Sequence, residues 1–145
     1  ELTRTPAHPM GGTAYLSVES PEEPYLSGVV YNAMPPNKRL MGMDQLSGGE
    51  RTVAAIALLF AVYDFQPSPF FVLDEVDASL DNRNLGRVSG YIRRRAPHVQ
   101  TIVISLKENF FEQADALVGV HRHVPTSTSR VATLELIDLD ADPPS

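Results

Sequence analysis

The sequence predicts an α/β fold, with a mainly parallel sheet, flanking helices and antiparallel additions at both ends. Two observations lead to this prediction. In the middle of the chain, short apolar runs that end in polar residues alternate with longer helical segments, the pattern of strands joined by crossover helices. Towards each end, runs of strand-forming residues are separated by proline-containing polar turns, which favours antiparallel hairpins.

Two strands are predicted near the start of the chain. Residues 13–18 and 28–34 are rich in Tyr, Val and Leu. An acidic loop interrupted by prolines, residues 19–24, separates them, and two strands joined by that loop are the simplest interpretation. Met41 and Met43 precede the first helix, and we interpret them as packing residues.

The first helix is predicted to begin after Ser47. Glu50 follows at the spacing of a capping box, in which the two residues bond each other's backbone. Residues 53–63 are apolar on nearly every face, so we expect this helix to be buried. Pro67 ends it.

Two buried strands are predicted on either side of a second helix. Residues 70–73 and 101–104 are continuous apolar runs, typical of parallel strands. Asp81 is placed to cap the helix between them. The face of that helix expected to be buried consists of Leu85, Val88 and Ile92.

The rest of the chain is predicted to hold one short helix and two strands. The helix covers about residues 107–114, and the strands cover 117–120 and 131–139. Residues 125–129 form the turn before the last strand, and residues 140–145 form a frayed tail.

Composition excludes several classes of protein. The 145 residues are 43% hydrophobic and 21% charged, as in one soluble globular domain. The absence of Cys excludes disulfides, thiolate catalysis and a cysteine-based zinc site. The net charge of −6 argues against diffuse binding of nucleic acid, and the longest apolar run is too short to span a membrane. We expect no membrane partner. The sequence begins with Glu1 instead of Met and shows no signal peptide, so we expect it to be a fragment of a longer protein.

The first stretch that carries chemistry consists of Leu46, Ser47, Gly48, Gly49 and Glu50. Glycines allow a ligand to approach the backbone closely. A helix N-terminus adds unpaired N–H groups and a partial positive charge. The stretch therefore fits a phosphate, while a lone Ser-Gly-Gly is more often an ordinary capped turn.

The second stretch is the acidic end of the first predicted parallel strand. Asp74 and Glu75 directly follow residues 70–73, and ligands bind at that edge of an open α/β sheet. One carboxylate can hold Mg²⁺ through water, while the next orients and deprotonates an attacking water. A solvated acidic turn is the alternative interpretation.

Together these motifs resemble the ATP-binding-cassette (ABC) ATPases, whose fold is P-loop NTPase-like. Residues 46–50 are similar to the signature motif of that superfamily, and Asp74 and Glu75 to its Walker B pair. The residues similar to its D-loop are Asp77, Ala78, Leu80 and Asp81.

Within this superfamily the chain resembles the structural-maintenance-of-chromosomes (SMC) proteins. Glu50, Arg51 and Thr52 are similar to SMC heads, whereas transporters usually have Gln in place of Glu50. Ser105 stands where transporters carry His, and Ser-Leu-Lys-Glu at residues 105–108 is similar to cohesin SMC proteins.

The resemblance implies that residues 1–145 are the C-terminal lobe of an SMC head. Residues 1–44 would hold the strands leading to the signature motif. Residues 45–120 would carry the signature helix, Walker B, D-loop and switch, and residues 121–145 the terminal strands and tail.

The resemblance also implies roles in binding and hydrolysing ATP. Ser47, Gly48 and Gly49 would bind the γ-phosphate of an ATP held by the opposite head. Asp74 would hold Mg²⁺ and Glu75 would be the general base. The D-loop would couple the two sites, and Ser105 would occupy the switch position for the γ-phosphate.

The partners and location follow from the same resemblance. The sequence lacks a Gly-x-x-x-x-Gly-Lys-Ser/Thr loop, so the chain alone is expected to hydrolyse almost no ATP. The N-terminal half of the same head would supply that Walker A loop. The other partners would be SMC subunit three of cohesin, the C-terminal winged-helix domain of a kleisin, and DNA through the assembled complex. The expected location is nuclear and chromosome-associated, in sister-chromatid cohesion.

Two alternatives remain, the first within the ATPases and the second in a different class of protein. One is another ABC-type ATPase, such as an SMC-like double-strand-break repair ATPase or a transporter. The other is a non-catalytic scaffold that only binds a kleisin-like partner.

Two polar clusters are left open by the sequence. Five arginines, which either contact DNA or form a solvated helix face, are Arg83, Arg87, Arg93, Arg94 and Arg95. His121 and His123 would share one face of a strand, as a metal pair or as ordinary surface histidines.

Overall fold

The computed structural model describes residues 2–136. They belong to two compact units, Glu1–Ser105 and Leu106–Ser145, and each unit is described by itself.

The first unit opens with an antiparallel sheet. Strands β1 (Thr13–Val18), β2 (Val29–Met34) and β3 (Met41–Gly42) lie in that order. Thr13 pairs with Met34 and Val18 with Val29, so the acidic loop joins neighbouring strands as predicted. Met41 and Met43 pack against the buried side chains of Ala33, Leu46 and Ala54, which confirms their packing role.

The parallel part of the fold consists of β4 (Phe70–Asp74) and β5 (Gln100–Ile104), joined through helix α2 (Asn82–Arg95). Phe70 lies opposite Gln100 and Asp74 opposite Ile104, so the carboxyl ends of both strands meet at one edge. Within residues 2–136 no other strands pair in parallel. The parallel part is therefore smaller than the sequence indicated, whereas the antiparallel additions at both ends are present.

Helix α1 (Gly48–Phe65) is buried along one stripe only. That stripe, which faces the core, consists of Val53, Ala54, Ile56 and Phe60. On the outer side Val62 is 54% and Phe65 90% exposed. The expectation of a buried helix is wrong for its outer side, because β4, α2 and the antiparallel sheet leave that side uncovered among the described residues.

The two parallel strands show the same one-sided burial. Phe71 and Leu73 are buried, while Phe70 and Val72 on the opposite face are exposed. Side chains alternate between the faces of a strand, and only one face of this sheet is covered by the described residues. The prediction of strands buried on both faces is therefore wrong.

An aromatic cluster forms the centre of the first unit. Phe60 of α1 meets Phe71 of β4 and Tyr91 of α2 edge to face, with ring centroids 5.3 Å and 5.0 Å apart. The face of α2 predicted to be buried, namely Leu85, Val88 and Ile92, is buried. The sequence-based face of α2 is confirmed.

Arg95 joins the C-terminal ends of α1 and α2. Its guanidinium carbon lies 5.5 Å, 5.9 Å and 6.0 Å from the ring centroids of Tyr63, Phe60 and Tyr91. The guanidinium also donates a hydrogen bond to the Asp64 carboxylate, with which it forms an ion pair. This hydrogen bond is the main reason why the pKa of Arg95 is raised. Arg95 is therefore a packing residue between two helices and does not belong to a solvated basic face.

The second unit contains helix α3 (Glu108–Phe111) and a hairpin of β6 (Ala116–His123) and β7 (Thr128–Glu135). A 3₁₀ turn at Val124–Thr126 joins the strands, with Ser127 in the left-handed region at φ 51°. The helix is shorter than predicted. Strand β6 is longer, because His121–His123 pairs with β7 up to the turn. Residues 137–145, which include the end of the predicted last strand and the tail, lie outside the described residues.

None of the helices between residues 2 and 136 is long and apolar enough to cross a membrane.

Candidate functional site

The start of α1 forms the capping box that the sequence predicts. The Ser47 hydroxyl accepts from the Glu50 backbone N–H at 3.4 Å and donates to Glu50 Oε2 at 2.9 Å. The same carboxylate oxygen accepts from the Ser47 backbone N–H at 3.1 Å. Ser47 and Gly48 are exposed, so the first helical turn, whose N–H groups have no helical partner, opens to solvent.

Glu50 is also tied to the preceding turn. Lys38 Nζ lies 2.8 Å from Glu50 Oε1. The hydrogen bond from Lys38 is the main reason why the pKa of the Glu50 carboxyl is lowered, and the bonds from Ser47 add to it. Lys38 was not predicted as a site residue, because in the sequence it is only a positively charged residue in a polar turn.

Arg51 fastens the loop in front of the helix. Its guanidinium donates to the carbonyl oxygens of Met43 at 3.1 Å and Asp44 at 3.4 Å. A third, longer bond of 3.5 Å reaches the carbonyl of Leu46. These bonds hold the loop in a fixed position against the first turn of α1, and Ser47 lies where the two meet.

The D-loop segment lies against the start of α1. The hydroxyls of Thr52 and Ser79 are hydrogen-bonded. A Cβ placed on Gly49 would lie 3.2 Å from the Ser79 carbonyl oxygen, closer than most side chains allow, so a glycine suits this position. The structure thus brings the signature and D-loop motifs together. The contact is made by Ser79, which lies within the stretch 77–81 predicted as the D-loop.

Asp74 and Glu75 lie at the carboxyl end of the parallel pair, as predicted. Both side chains are exposed. The Glu75 backbone N–H donates to the Ile104 carbonyl at 3.0 Å, and the Glu75 carbonyl accepts from the Ala78 N–H at 3.2 Å. Glu75 has φ 49°, a left-handed conformation that residues other than glycine seldom adopt.

Asp77 and Ser105, two predicted site residues distant in sequence, contact each other. The Ser105 hydroxyl donates to Asp77 Oδ2 at 2.9 Å, and Asp77 is only 5% exposed. Asp81 accepts from the Asn84 backbone N–H at 2.8 Å, which confirms it as the N-cap of α2.

The carboxylates fit a magnesium ion held jointly with a nucleotide. Among the described residues, no group of three or more His, Cys, Asp or Glu is placed to hold a metal. Mg²⁺ in nucleotide sites typically takes one or two protein carboxylates and completes its shell with phosphates and water. An exposed carboxylate at Asp74 meets that requirement.

The two histidines of β6 lie on the same side of the hairpin. His121 is exposed and pairs in register with Arg130. His123 Nδ1 lies 2.7 Å from the Thr126 hydroxyl. In the described part of the chain no third metal-binding side chain accompanies them.

The sequence matches the RecF/RecN/SMC N terminal domain over residues 32–129. The chain belongs to this SMC family. The matched region contains the residues predicted to form the signature, Walker B, D-loop and switch motifs. The resemblance drawn from these motifs is confirmed at the level of the family, whereas the roles of the single residues stay predictions.

Relatives and solved structures agree with that assignment. Structural maintenance of chromosomes protein 1 of Schizosaccharomyces pombe is 53% identical to this SMC-family chain over 137 residues, which is 94% of the chain and 11% of the relative. The chain spans 10–12% of the length of the first curated relatives it matches.

Two solved SMC heads share the fold. One, from work on ATP-driven dimerization and DNA-stimulated activation of SMC ATPases, has a TM-score of 0.76 and 34% identity, covering 90% of this chain and 78% of that one. The other is an Smc head bound to the C-winged helix domain of ScpA, with a TM-score of 0.79 and 36% identity. The match covers 90% of this chain and 39% of that one. The α/β, ABC-type fold class is confirmed.

Proposed function

We propose that this chain is the C-terminal half of the ATPase head of SMC subunit one of cohesin. It supplies the signature motif, Walker B and D-loop for ATP-dependent engagement of two heads in sister-chromatid cohesion and chromosome organisation. The 53% identity to the fission-yeast protein over 94% of the chain supports the choice of subunit.

The observation that carries the proposal is the contact between the signature turn and the D-loop. Gly49 lies against the Ser79 carbonyl, and Thr52 bonds the Ser79 hydroxyl. The two motifs therefore form one surface beside the open N-terminus of α1. A helix N-terminus attracts anions through its N–H groups and dipole, so this surface suits the γ-phosphate of an ATP bound to another head.

Binding that phosphate requires a change at Ser47. Its hydroxyl now donates to Glu50, and it must turn from this carboxylate to a phosphate oxygen. Lys38 stays on the other oxygen of Glu50, so the carboxylate keeps a partner when Ser47 turns away.

The acidic end of β4 provides the hydrolytic groups of the chain's own site. A bound Mg²⁺ would neutralise the developing phosphate charge, and Asp74 would hold it. Glu75 would accept a proton from the attacking water, a general-base role worth about 10²–10⁴ in rate. Both roles require the Walker A loop of the N-terminal half, so the isolated chain is inactive.

The partners of the assembled head follow from the same proposal. The N-terminal half of the same protein completes the nucleotide site, and SMC subunit three of cohesin is the opposite head. A kleisin C-terminal winged-helix domain binds the second unit, where the β6–β7 hairpin carries exposed valines at Val118, Val120 and Val131. The solved head bound to the C-winged helix domain of ScpA supports this type of partner. DNA is reached through the complex, which is nuclear and chromosome-associated.

The test is ATP turnover by the complete head together with the partner head and the kleisin tail. Glu75→Gln should abolish turnover and leave ATP-driven pairing of the heads intact, because the amide cannot take the proton. Glu22→Gln, which makes the same change in the exposed loop after β1, is the matched control and should keep turnover. Turnover that survives Glu75→Gln would refute the assignment, and kleisin binding without any turnover dependent on Glu75 would favour the scaffold alternative.

A further inference from the structure

We infer that Ser105 and Asp77 form a positioning pair that fixes the backbone of Glu75 and thereby aims its carboxylate. What the aimed carboxylate does rests on the function proposed above. The pair itself rests on the geometry of the described residues, and it can be tested without measuring ATP turnover.

Glu75 needs such support because of its backbone conformation. Its φ of 49° lies in the left-handed region, where the Cβ of a residue other than glycine is crowded. Residues held there persist when the surrounding structure over-determines them, and they cluster at functional sites. The side chain itself is exposed, so packing of the side chain does not provide the restraint.

The restraint comes from the ends of the two parallel strands. The Glu75 N–H donates to the carbonyl of Ile104, and the Glu75 carbonyl accepts from Ala78. Ser105 directly follows Ile104, and Asp77 lies two residues beyond Glu75. The hydrogen bond from the Ser105 hydroxyl to Asp77 Oδ2 at 2.9 Å therefore closes a ring around the Glu75 peptide.

The burial of Asp77 shows that this bond matters. A carboxylate that is only 5% exposed has lost most of its water and requires hydrogen-bond donors in exchange. The Asp77 backbone also accepts from the Leu80 N–H at 3.1 Å. Ser105 and the turn around Asp77 therefore stabilise each other, and the ring stays closed as long as both side chains are present.

The first test measures the ring directly. In the complete head without ATP, Ser105→Ala should speed hydrogen–deuterium exchange of the segment around Glu75 and Ala78 by at least about ten-fold, since the ring opens more often. Ser105→Thr keeps the hydroxyl and should retain most of the protection. Ser89→Ala, which removes a buried hydroxyl that bonds within α2, is the control and should leave this segment unchanged.

The second test measures kcat and KM for ATP in the two-head complex. Ser105→Ala should lower kcat by about 10–100-fold, as misplacement of a reacting group does, with KM changed less than about two-fold. The fold-loss of kcat in the double variant Ser105→Ala/Asp77→Ala should be smaller than the product of the losses in the two single variants, because the two residues share one hydrogen bond. Ser89→Ala should keep kcat.

The outcomes separate this inference from the proposed function. Unchanged exchange around Glu75 in Ser105→Ala overturns the inference whatever the turnover shows. Faster exchange together with turnover that does not depend on Glu75 overturns the proposed function and keeps the pair. An equal loss of kcat in Ser105→Ala and Ser89→Ala would also overturn the inference, because a general loss of stability would then explain both.

Discussion

Glu50 serves two neighbours at once, and its ion pair with Lys38 makes part of the stability depend on pH. The pKa of Glu50 in the folded chain lies below its ordinary value of 4.5, mainly because of the hydrogen bond from Lys38. A lowered carboxyl pKa stabilises the fold above the ordinary pKa, and this contribution disappears as pH falls through the folded pKa. Lys38 is exposed and Glu50 is half-buried, so solvent screens the pair and its contribution is small.

Lys38→Met in the complete head should therefore lower the free energy of unfolding at pH 7 by less than about 1 kcal/mol. The difference from the unchanged protein should shrink as pH falls below 4.5. Urea unfolding at a series of pH values measures this, with the exposed neighbour Arg39→Met as the control. A difference that stays constant from pH 7 to pH 3 would show that Lys38 acts through packing instead of charge.

At the scale of elements, Arg95 links the C-terminal ends of α1 and α2, whose N-terminal ends lie beside the predicted signature and D-loop residues. Its guanidinium lies near three aromatic rings and pairs with Asp64. Arg95→Met should cost about 1–2 kcal/mol of stability, the range of cation–π contacts that are partly shielded from water. Urea unfolding of the complete head tests this.

Arg83→Met, on the exposed first turn of α2, is the matched control for that experiment and should change stability by less than about 0.5 kcal/mol. If both arginine variants lose the same stability, the loss reflects the helix charge in general and the aromatic contacts contribute nothing specific.

The elements also show which features the sequence could predict. The caps at Ser47 and Asp81 and the buried face of α2 were predictable, because each depends on residues close in sequence. The parallel pair was predictable from two local apolar runs separated by a helix, since strands joined in this way pair in parallel. The exposed side of α1 was not, since burial depends on what packs against a helix. For the same reason no local pattern indicated that Ser105 bonds Asp77 or that Arg95 turns towards α1.

At the scale of the whole molecule, the role proposed for the turn at Ser47, Gly48 and Gly49 is to bind an ATP held by a second head. In a Glu75→Gln background, Ser47→Arg should prevent ATP-dependent pairing of the heads through bulk beside the glycines. Ser47→Asp should also prevent it by repelling phosphate, although aspartate still caps the helix. Sedimentation with and without ATP measures the pairing.

Ser68→Arg, in the exposed turn after α1, is the control for the added arginine and should pair normally. Pairing that persists in both Ser47 variants would place the phosphate elsewhere. The loss of pairing in Ser47→Asp with unchanged melting temperature would separate anion binding from helix capping.

The uncovered face of the β4–β5 sheet bears on how the chain behaves outside an assembly. Phe70, Val72, Ile102 and Ile104 expose aromatic and β-branched side chains on a sheet with no further strand paired to it among the described residues. An exposed apolar face of this kind promotes hydrophobic association, and the unpaired strand edges of such a sheet can pair with strands of another chain. Residues 1–145 expressed alone are therefore expected to aggregate, and the N-terminal half of the proposed head is expected to keep them in solution.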